Sequence, residues 1–312
     1  MTIRIASALA LGLAATQPAL AQEGDHCRSL VFSDVGWSDI TATTALATTV
    51  LQALGYETET RILSVPVTYT ALSTDDVDIF LGNWMPTMEA DIAPYRDAGT
   101  VDTVRTNLTG AKYTLATNRA GAELGITDFA SIAQHKDALE GRIYGIEPGN
   151  DGNRLLLEMV AMDQFGLGTF EIVESSEQGM LAQATRLSNS GRPIVFLGWE
   201  PHPMNAEIEM TYLEGGDEIF GPDLGGAEVR TNTRAGFVDD CPNAGQFLQN
   251  LEFTLPMENE VMGMILNDGQ DPMAAARAWL SANPEAAMPW LEGVTTVDGN
   301  DAETALRESL TS

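Results

Sequence analysis

The sequence predicts an α/β protein of two lobes, each built on a mostly parallel sheet, with two short hinge crossings between them. Short β-like runs alternate with amphipathic helical patterns, an order typical of parallel strands covered by helices. The chain has 312 residues, which is more than usually fold around a single hydrophobic core. Its two cysteines, Cys27 and Cys241, lie far apart in the chain. Together these observations favour two lobes formed by a chain that leaves the first lobe and returns to it.

The first 21 residues have the pattern of an export signal. Arg4 supplies a positive charge, residues 5–15 are apolar, and Ala19-Leu20-Ala21 forms a small-x-small cleavage site. A membrane anchor is the alternative, but the apolar run is shorter than the roughly 20 residues needed to span a bilayer, and Pro18 follows it. We therefore expect residues 1–21 to be removed and the mature chain to be periplasmic.

The charge of the chain excludes one class of partner. The sequence has 16 basic and 45 acidic residues and a formal charge of −29, which becomes −30 when Arg4 is lost with the signal. Nothing in so acidic a chain replaces the counterions condensed on nucleic acid, so we expect no nucleic-acid partner. An acidic surface tolerates and weakly steers a small cation, although the charge also serves solubility alone.

Strands and helices are punctuated by caps and glycines. The predicted strands are Ser29 to Val35, Thr58 to Val65, Val77 to Leu81, Lys112 to Thr117, Arg142 to Ile146, Phe170 to Glu174 and Pro193 to Leu197. The predicted helices are Asp39 to Leu54, Asp128 to Leu139, Ser176 to Asn189, Met257 to Asn267, Pro272 to Ala282 and Met288 to Gly293. The last three predicted helices have no predicted strand between them, so we expect them to pack on a sheet formed by an earlier part of the chain.

An even number of cysteines in an exported chain predicts one disulfide, Cys27 to Cys241, with two unpaired buried thiols as the alternative. The bridge would place the C-terminal helices on the first lobe. We accordingly predict lobe one from residues 22–111 and 207–312, and lobe two from residues 112–206.

Three of the five tryptophans follow predicted strands directly. They are Trp37, Trp84 and Trp199, and a glycine lies one or two residues before each. Ligands bind beyond the carboxyl ends of strands in open α/β sheets, so this placement directs three indoles to one region. A single tryptophan is more often part of the core, which is the role predicted for Trp279 and Trp290.

Several indole faces suit a quaternary ammonium, which has no N–H to donate and is bound mainly through cation–π contacts. A sugar would also stack on tryptophan but needs a dense set of polar partners. Asp39 lies at a predicted helix start and is suited to cap that helix or to accept from a ligand hydroxyl. Asn150 lies in the turn of residues 147–153, where two acids and the lack of a following Lys-Ser or Lys-Thr disfavour a phosphate site.

Six segments carry a family resemblance: DVGWSDI (34–40), VDIFLGNWMPTMEADI (77–92), GAKYTLAT (110–117), GIEPGNDGNR (145–154), SSEQGMLAQ (175–183) and VFLGWEPHPMN (195–205). They resemble segments of the periplasmic choline-binding proteins of ABC importers and, more widely, of the glycine betaine and proline betaine binding family. The resemblance covers nearly the whole mature chain. It implies the fold of a type II periplasmic binding protein that closes over its ligand, and a membrane permease of an ABC importer as partner.

Position by position, the resemblance implies an aromatic box of Trp37, Trp84, Tyr113 and Trp199 around a trimethylammonium group. It assigns Asp39 and Asn150 to the hydroxyl of choline. Tyr113 is identified by the resemblance alone, because a tyrosine within a strand is more often a packing residue. Acetylcholine is left open as a second ligand, and a monomer is expected.

Two alternatives are weighed against choline capture. A betaine ends in a carboxylate, which Asp39 would repel, so choline is predicted over glycine betaine or proline betaine. A secreted hydrolase would need a nucleophile with its base or a metal site, but His26, His135 and His202 are widely spaced. His202 is predicted to lie behind the pocket. We expect no enzyme activity, no cofactor and no metal.

Overall fold

The computed structural model describes residues 24–311. The predicted signal, residues 1–21, lies outside this range. Each helix among residues 24–311 is either too short or too polar to span a bilayer.

Nine strands of residues 24–311 form one continuous mixed sheet in the order β2-β1-β3-β9-β4-β7-β5-β6, with β8 paired to β4. Strand β1 runs parallel to β2 and β3, and β5 runs parallel to β6 and β7. The pairs that join these two groups through β4 and β9 are antiparallel. The strands are β1 Ser29–Asp34, β2 Glu57–Ile62, β3 Ile79–Met85, β4 Val101–Asn118, β5 Arg142–Tyr144, β6 Glu171–Val173, β7 Val195–Glu200, β8 Met210–Tyr212 and β9 Gly226–Arg234.

Helices pack on both groups of parallel strands, which are joined through β4 and β9. They are α1 Ser38–Ala53, α2 Val65–Ser73, α3 Glu89–Asp97, α4 Arg119–Leu124, α5 Phe129–Ile132, α6 Asp151–Ala161, α7 Glu177–Asn189, α8 Met204–Glu207, α9 Asp217–Phe220, α10 Pro222–Gly225, α11 Phe237–Asp240, α12 Pro242–Asn250, α13 Leu255–Leu266, α14 Pro272–Ala282 and α15 Ala302–Thr311. Short 3₁₀ segments span Asp25–Arg28, Ala133–His135, Gln164–Gly166 and Pro284–Leu291.

Two predicted helices differ from those observed. The one expected from Asp128 is a single turn followed by a 3₁₀ segment, and it starts at a capping box in which Asp128 accepts from the Ser131 backbone N–H. The one expected from Met288 is a 3₁₀ segment, in which Pro289 has no N–H to donate to the helix ladder.

The longest strand, β4, changes partner along its length. Residues Val101 to Lys112 pair with β9, and Lys112 to Thr117 pair with β7. The same backbone therefore serves both groups of parallel strands, and Tyr113 lies where the partner changes.

The predicted disulfide between Cys27 and Cys241 is formed, with a Cα–Cα distance of 5.5 Å, which excludes two unpaired thiols. It joins the segment before β1 to the segment before α12. Helices α13 and α14 pack on α1, as expected for helices that cover the first group of strands. Trp279 and Trp290 are buried in the core, as predicted.

Candidate functional site

The three tryptophans singled out in the sequence lie at strand ends. Trp37 is the N-cap residue of α1, just after β1. Trp84 and Trp199 are the penultimate residues of β3 and β7. They therefore lie within the ends of these strands, and not after them as predicted. Gly36 turns the chain before Trp37 with φ of 82°. Gly82 has a different use, since a Cβ there would lie 2.8 Å from Ile40 of α1, so the glycine lets helix and strand approach closely.

All six predicted site residues line one cavity of about 270 Å³, together with Ile146 and Asp151. This volume includes solvent-open space at the mouth of the cavity, and half of the lining residues are aromatic. The ring centroid of Tyr113 is 6.1 Å from that of Trp84 and 6.3 Å from that of Trp199. Both pairs meet edge to face, at 61° and 80°. The rings of Trp84, Tyr113 and Trp199 are therefore tilted relative to one another and are not stacked in parallel. They form separate walls of the cavity.

Hydrogen bonds fix the polar edges of the rings. Trp84 Nε1 donates to Asp39 Oδ2 at 3.0 Å, and Trp37 Nε1 donates to Glu147 Oε1 at 2.7 Å. The Tyr113 hydroxyl donates to Asn150 Oδ1 at 3.0 Å. Because the polar atoms of these three rings already have protein partners, the faces remain for apolar or cation–π contacts.

Asn150 caps α6 and holds a second set of contacts. Its Oδ1 accepts from the Asn153 backbone N–H, and its Nδ2 donates to Asp151 Oδ1, both at 3.0 Å. The acceptor oxygen thus serves both Tyr113 and the helix start. One N–H of the amide remains beyond these contacts.

Two buried carboxyl groups, Asp39 and Asp151, and the half-buried Glu147 lie around the aromatic cage, which is formed by Trp37, Trp84, Tyr113 and Trp199. Burial, with a smaller contribution from the charge of Glu177, raises the pKa of Asp39 to about 8. Burial also raises the pKa of Glu147 to about 7 and that of Asp151 to about 6. Among the described residues, none donates a well-formed hydrogen bond to Asp39 Oδ1. A cation in the cavity would favour the charged form of each group, whereas an anion would meet repulsion.

Sequence reasoning missed the roles of Ile146, Glu147, Asp151 and Glu177. Glu147 and Asp151 flank the turn that carries Asn150, and their place at a strand end was a usable signal. Glu177 is one of 45 acidic residues, and its place within the segment 175–183 is a signal that could have drawn attention to it. His202 does lie behind the cavity, with its ring centroid 5.0 Å from that of Trp199.

Within residues 24–311, one group of His, Cys, Asp or Glu side chains lies close enough together to hold a metal ion, namely His26, Cys27 and Cys241. Both cysteines are bonded to each other, so neither offers a thiolate. The cluster is therefore part of the disulfide and does not resemble a metal centre.

Comparison with known proteins gives consistent matches. The family model for the substrate binding domain of ABC-type glycine betaine transport systems matches residues 28–282. An ABC-transporter choline binding protein solved in complex with choline is 65% identical, with 92% of this chain and 100% of that chain covered and a TM-score of 0.91. An ABC-transporter choline binding protein in an unliganded semi-closed conformation is also 65% identical, covers 92% and 99% of the two chains, and has a TM-score of 0.85.

A curated relative extends the comparison. A glycine betaine/carnitine transport binding protein from Listeria monocytogenes is 33% identical over 132 residues, which are 42% of this chain and 43% of that protein.

Proposed function

Since the chain belongs to the family of substrate-binding domains of ABC-type glycine betaine transport systems, we propose that it captures choline outside the cytoplasm and delivers it to the membrane permease of an ABC importer. The predicted α/β fold class is confirmed, with mostly parallel strands in two groups that belong to one continuous sheet, and it is shared with the choline binding protein of 65% identity. The family is one of solute-binding transport proteins and not an enzyme family.

The observation that carries the proposal is the convergence of four aromatic rings and a buried carboxyl group on one small cavity. The rings are Trp37, Trp84, Tyr113 and Trp199, and the carboxyl group is that of Asp39. Each ring face contributes up to about 2 kcal/mol to the binding of a desolvated cation. A methylated ammonium matches this set, because it needs no hydrogen-bond acceptor at nitrogen.

The charges around the cavity favour choline over a betaine. Of the eight cavity-lining residues, two are aspartates and none is Lys, Arg or His. A betaine carboxylate would need a cationic or strongly donating partner. The choline hydroxyl instead donates to Asp39 Oδ1, and the remaining amide N–H of Asn150 donates to the hydroxyl oxygen.

Ligand capture follows from closure of the two lobes. The elements divide the cage: Trp37, Asp39 and Trp84 belong to the β1 and β3 side, and Trp199 and Asn150 to the β7 and β5 side. A ligand touches both sets only when the lobes are closed.

The lobe boundaries are also a proposal. The first crossing lies near residue 111, where β4 changes partner from β9 to β7. We place the second crossing near Gly225, later than the sequence-based position of 207. This choice is supported by the pairing of β8 with Ala116 to Asn118 of β4 and by the contact of Phe220 with Tyr113.

Isothermal titration calorimetry of the purified mature chain with choline, acetylcholine and glycine betaine tests the ligand. We expect choline to bind most tightly and glycine betaine at least about tenfold more weakly, a difference of 1.4 kcal/mol or more. Tighter binding of glycine betaine would overturn the assignment. Acetylcholine binding is expected to be weaker than that of choline because its oxygen has no hydrogen to donate to Asp39.

Cell fractionation and light scattering test two further parts of the proposal. The protein is expected in the periplasmic fraction and as a monomer, with or without choline. Recovery in the cytoplasm, or a stable dimer, would contradict the corresponding part while leaving the ligand assignment to calorimetry.

A further inference from the structure

Glu177 makes a buried polar contact across the cleft, outside the cavity. It is the first residue of α7, and its carboxylate accepts from Ser38 at the start of α1, which lies on the other side of the cleft. The Ser38 backbone N–H donates to Glu177 Oε2 at 2.9 Å, and the Ser38 hydroxyl donates to Oε1 at 2.5 Å. Ser38 lies between Trp37 and Asp39, so the contact holds the segment that carries two cage residues.

His202 extends the contact to a third cage residue. Its Nδ1 accepts from the Met204 backbone N–H at 3.0 Å, which leaves the proton on Nε2. Nε2 lies 3.3 Å from Glu177 Oε1 and 3.2 Å from the Ser38 hydroxyl. The cluster of Ser38, Glu177 and His202 also contacts the cage, since the His202 ring packs edge-on against Trp199.

The cluster is almost fully withdrawn from water. Ser38 is 4% exposed, Glu177 is 1% exposed and His202 is 3% exposed. A carboxylate with this burial is costly unless charge-assisted hydrogen bonds satisfy it, and Ser38 supplies two of them. Separation of the lobes would remove Ser38 from Glu177 and let water reach the carboxylate.

The start of α7 does not need Glu177 as a cap. Ser176 is the N-cap residue, and its hydroxyl accepts from the Gly179 backbone N–H at 3.1 Å. Glu177 therefore directs its carboxylate away from its own helix and towards α1. An acid in this position would otherwise be typical of a solvated first helical turn.

We propose that Glu177 is a positioning residue that couples closure of the cleft to assembly of the ligand cage. This inference rests on the proposed capture of a ligand by lobe closure. Glu177 lines no part of the cavity, and it acts by holding Ser38, and through it Trp37 and Asp39, against the lobe that carries Trp199. It slows opening of the closed form and so slows release of the ligand.

Stopped-flow tryptophan fluorescence with choline tests the proposal on Glu177→Ala, Glu177→Gln, Ser38→Ala and the double variant Glu177→Ala/Ser38→Ala. We expect Glu177→Ala to raise the dissociation rate constant about tenfold or more, with the association rate constant changed less than about threefold. Glu177→Gln keeps neutral hydrogen bonds to Ser38 and is expected to recover part of the loss. The double variant is expected to release choline no faster than Glu177→Ala, because both changes remove the same contact.

Glu171→Gln is the matched control, because Glu171 lies on β6 of the same lobe with an exposed side chain. It is expected to leave both rate constants unchanged. A Glu177→Ala variant that releases choline at the wild-type rate would overturn the proposal while leaving choline capture intact. Additive effects in the double variant would also overturn it, because Glu177 would then not act through Ser38.

Failure of the ligand assignment gives a different result. If the wild-type protein binds glycine betaine in place of choline, the same variants are measured with glycine betaine. Glu177 lines no part of the cavity, so the expected rise in its dissociation rate is the same. A wild-type rate for Glu177→Ala with that ligand would overturn the role of Glu177 independently.

Discussion

Each cage residue has both a surface that lines the cavity and a protein contact that fixes it. Trp84 donates to Asp39, and Tyr113 donates to Asn150, so mutation of one residue releases its neighbour as well. The three tryptophans could be recognised from the sequence because they follow predicted strands, whereas Tyr113 was identified by the family resemblance alone. Among the carboxyl groups, Asp39 was predicted from its place at a helix start, and the others could not be distinguished within a chain of 45 acidic residues.

Replacement of one ring tests the cage itself. Trp199→Ala is expected to weaken choline binding by at least about 1 kcal/mol, since one desolvated cation–π face is lost. Trp199→Phe keeps a smaller face and is expected to bind with intermediate affinity. Calorimetry measures both, and Trp279→Phe in the core serves as control. Wild-type affinity in Trp199→Ala would remove this ring from the site.

Asp39 is expected to lower the free energy of unfolding, although it contributes to choline binding. Its native pKa of about 8 lies above its ordinary value of 3.8, so the native state binds more protons than the unfolded state between these limits. This group therefore makes the native state less stable as the pH rises from about 4 to about 8. Asp39→Asn removes the effect, and its advantage in unfolding free energy should grow to at least about 1 kcal/mol at pH 8.

Denaturant unfolding of the ligand-free proteins at pH 5 and pH 8 measures this difference, and choline titration of the same variant is expected to show weaker binding. A variant with the wild-type pH dependence would indicate that Asp39 does not carry the effect.

Choline binding is expected to release protons. A bound cation favours the charged form of Asp39 and so lowers its pKa from about 8. Affinity should rise with pH up to about 8 and then level off, with smaller contributions from Glu147 and Asp151 at about 7 and about 6. Calorimetry at pH 7 in buffers of different ionisation enthalpy counts the protons. Asp39→Asn should release fewer protons, and an unchanged count would contradict this assignment.

At the scale of elements, amphipathic helices and apolar strands could be predicted, and polar buried strands could not. Helix α1 was expected at Asp39 and begins at Ser38. Strand β9 was missed because it is rich in threonine, asparagine and arginine. Its Thr231, Asn232 and Thr233 are nonetheless fully buried. Side-chain hydrogen bonds satisfy two of them, since Thr231 accepts from the Asn107 amide and Asn232 accepts from the Tyr69 hydroxyl. Such tertiary partners leave no periodic signal.

The approach of α1 to β3 is expected to control the geometry of the cage. A Cβ at Gly82 would lie 2.8 Å from the Ile40 side chain, so Gly82→Ala should push the helix that carries Asp39 away from Trp84. We expect lower stability by about 1–3 kcal/mol and weaker choline binding. Gly263→Ala is the control, because that helical glycine has open space around it. It should raise stability slightly, and equal effects of the two changes would contradict the packing argument.

At the scale of the whole molecule, the site lies where the two groups of parallel strands share β4. The alternation of strands and helices predicted the α/β class, and the cysteine count predicted the bridge. The sequence predicted a return to the first lobe near residue 207, and the later position proposed here could not be predicted, because the pairing of Met210 to Tyr212 with β4 depends on three residues without a strand pattern. The contact between Ser38 and Glu177 likewise joins residues 139 positions apart, a separation that local sequence does not encode.

The disulfide is expected to stabilise the fold without shaping the ligand site. It closes a span of 214 residues and lies before the amino end of β1, whereas the cage is at the carboxyl ends of the strands. The double variant Cys27→Ser/Cys241→Ser should lose about 2–5 kcal/mol of unfolding free energy, chiefly because its unfolded chain gains entropy. Choline affinity at 15 °C, where the variant is expected to remain folded, should stay within about threefold of wild type. A parallel loss of affinity in the folded variant would mean that the bridge, and with it the packing of α13 and α14 on α1, also sets the position of Trp37 and Asp39.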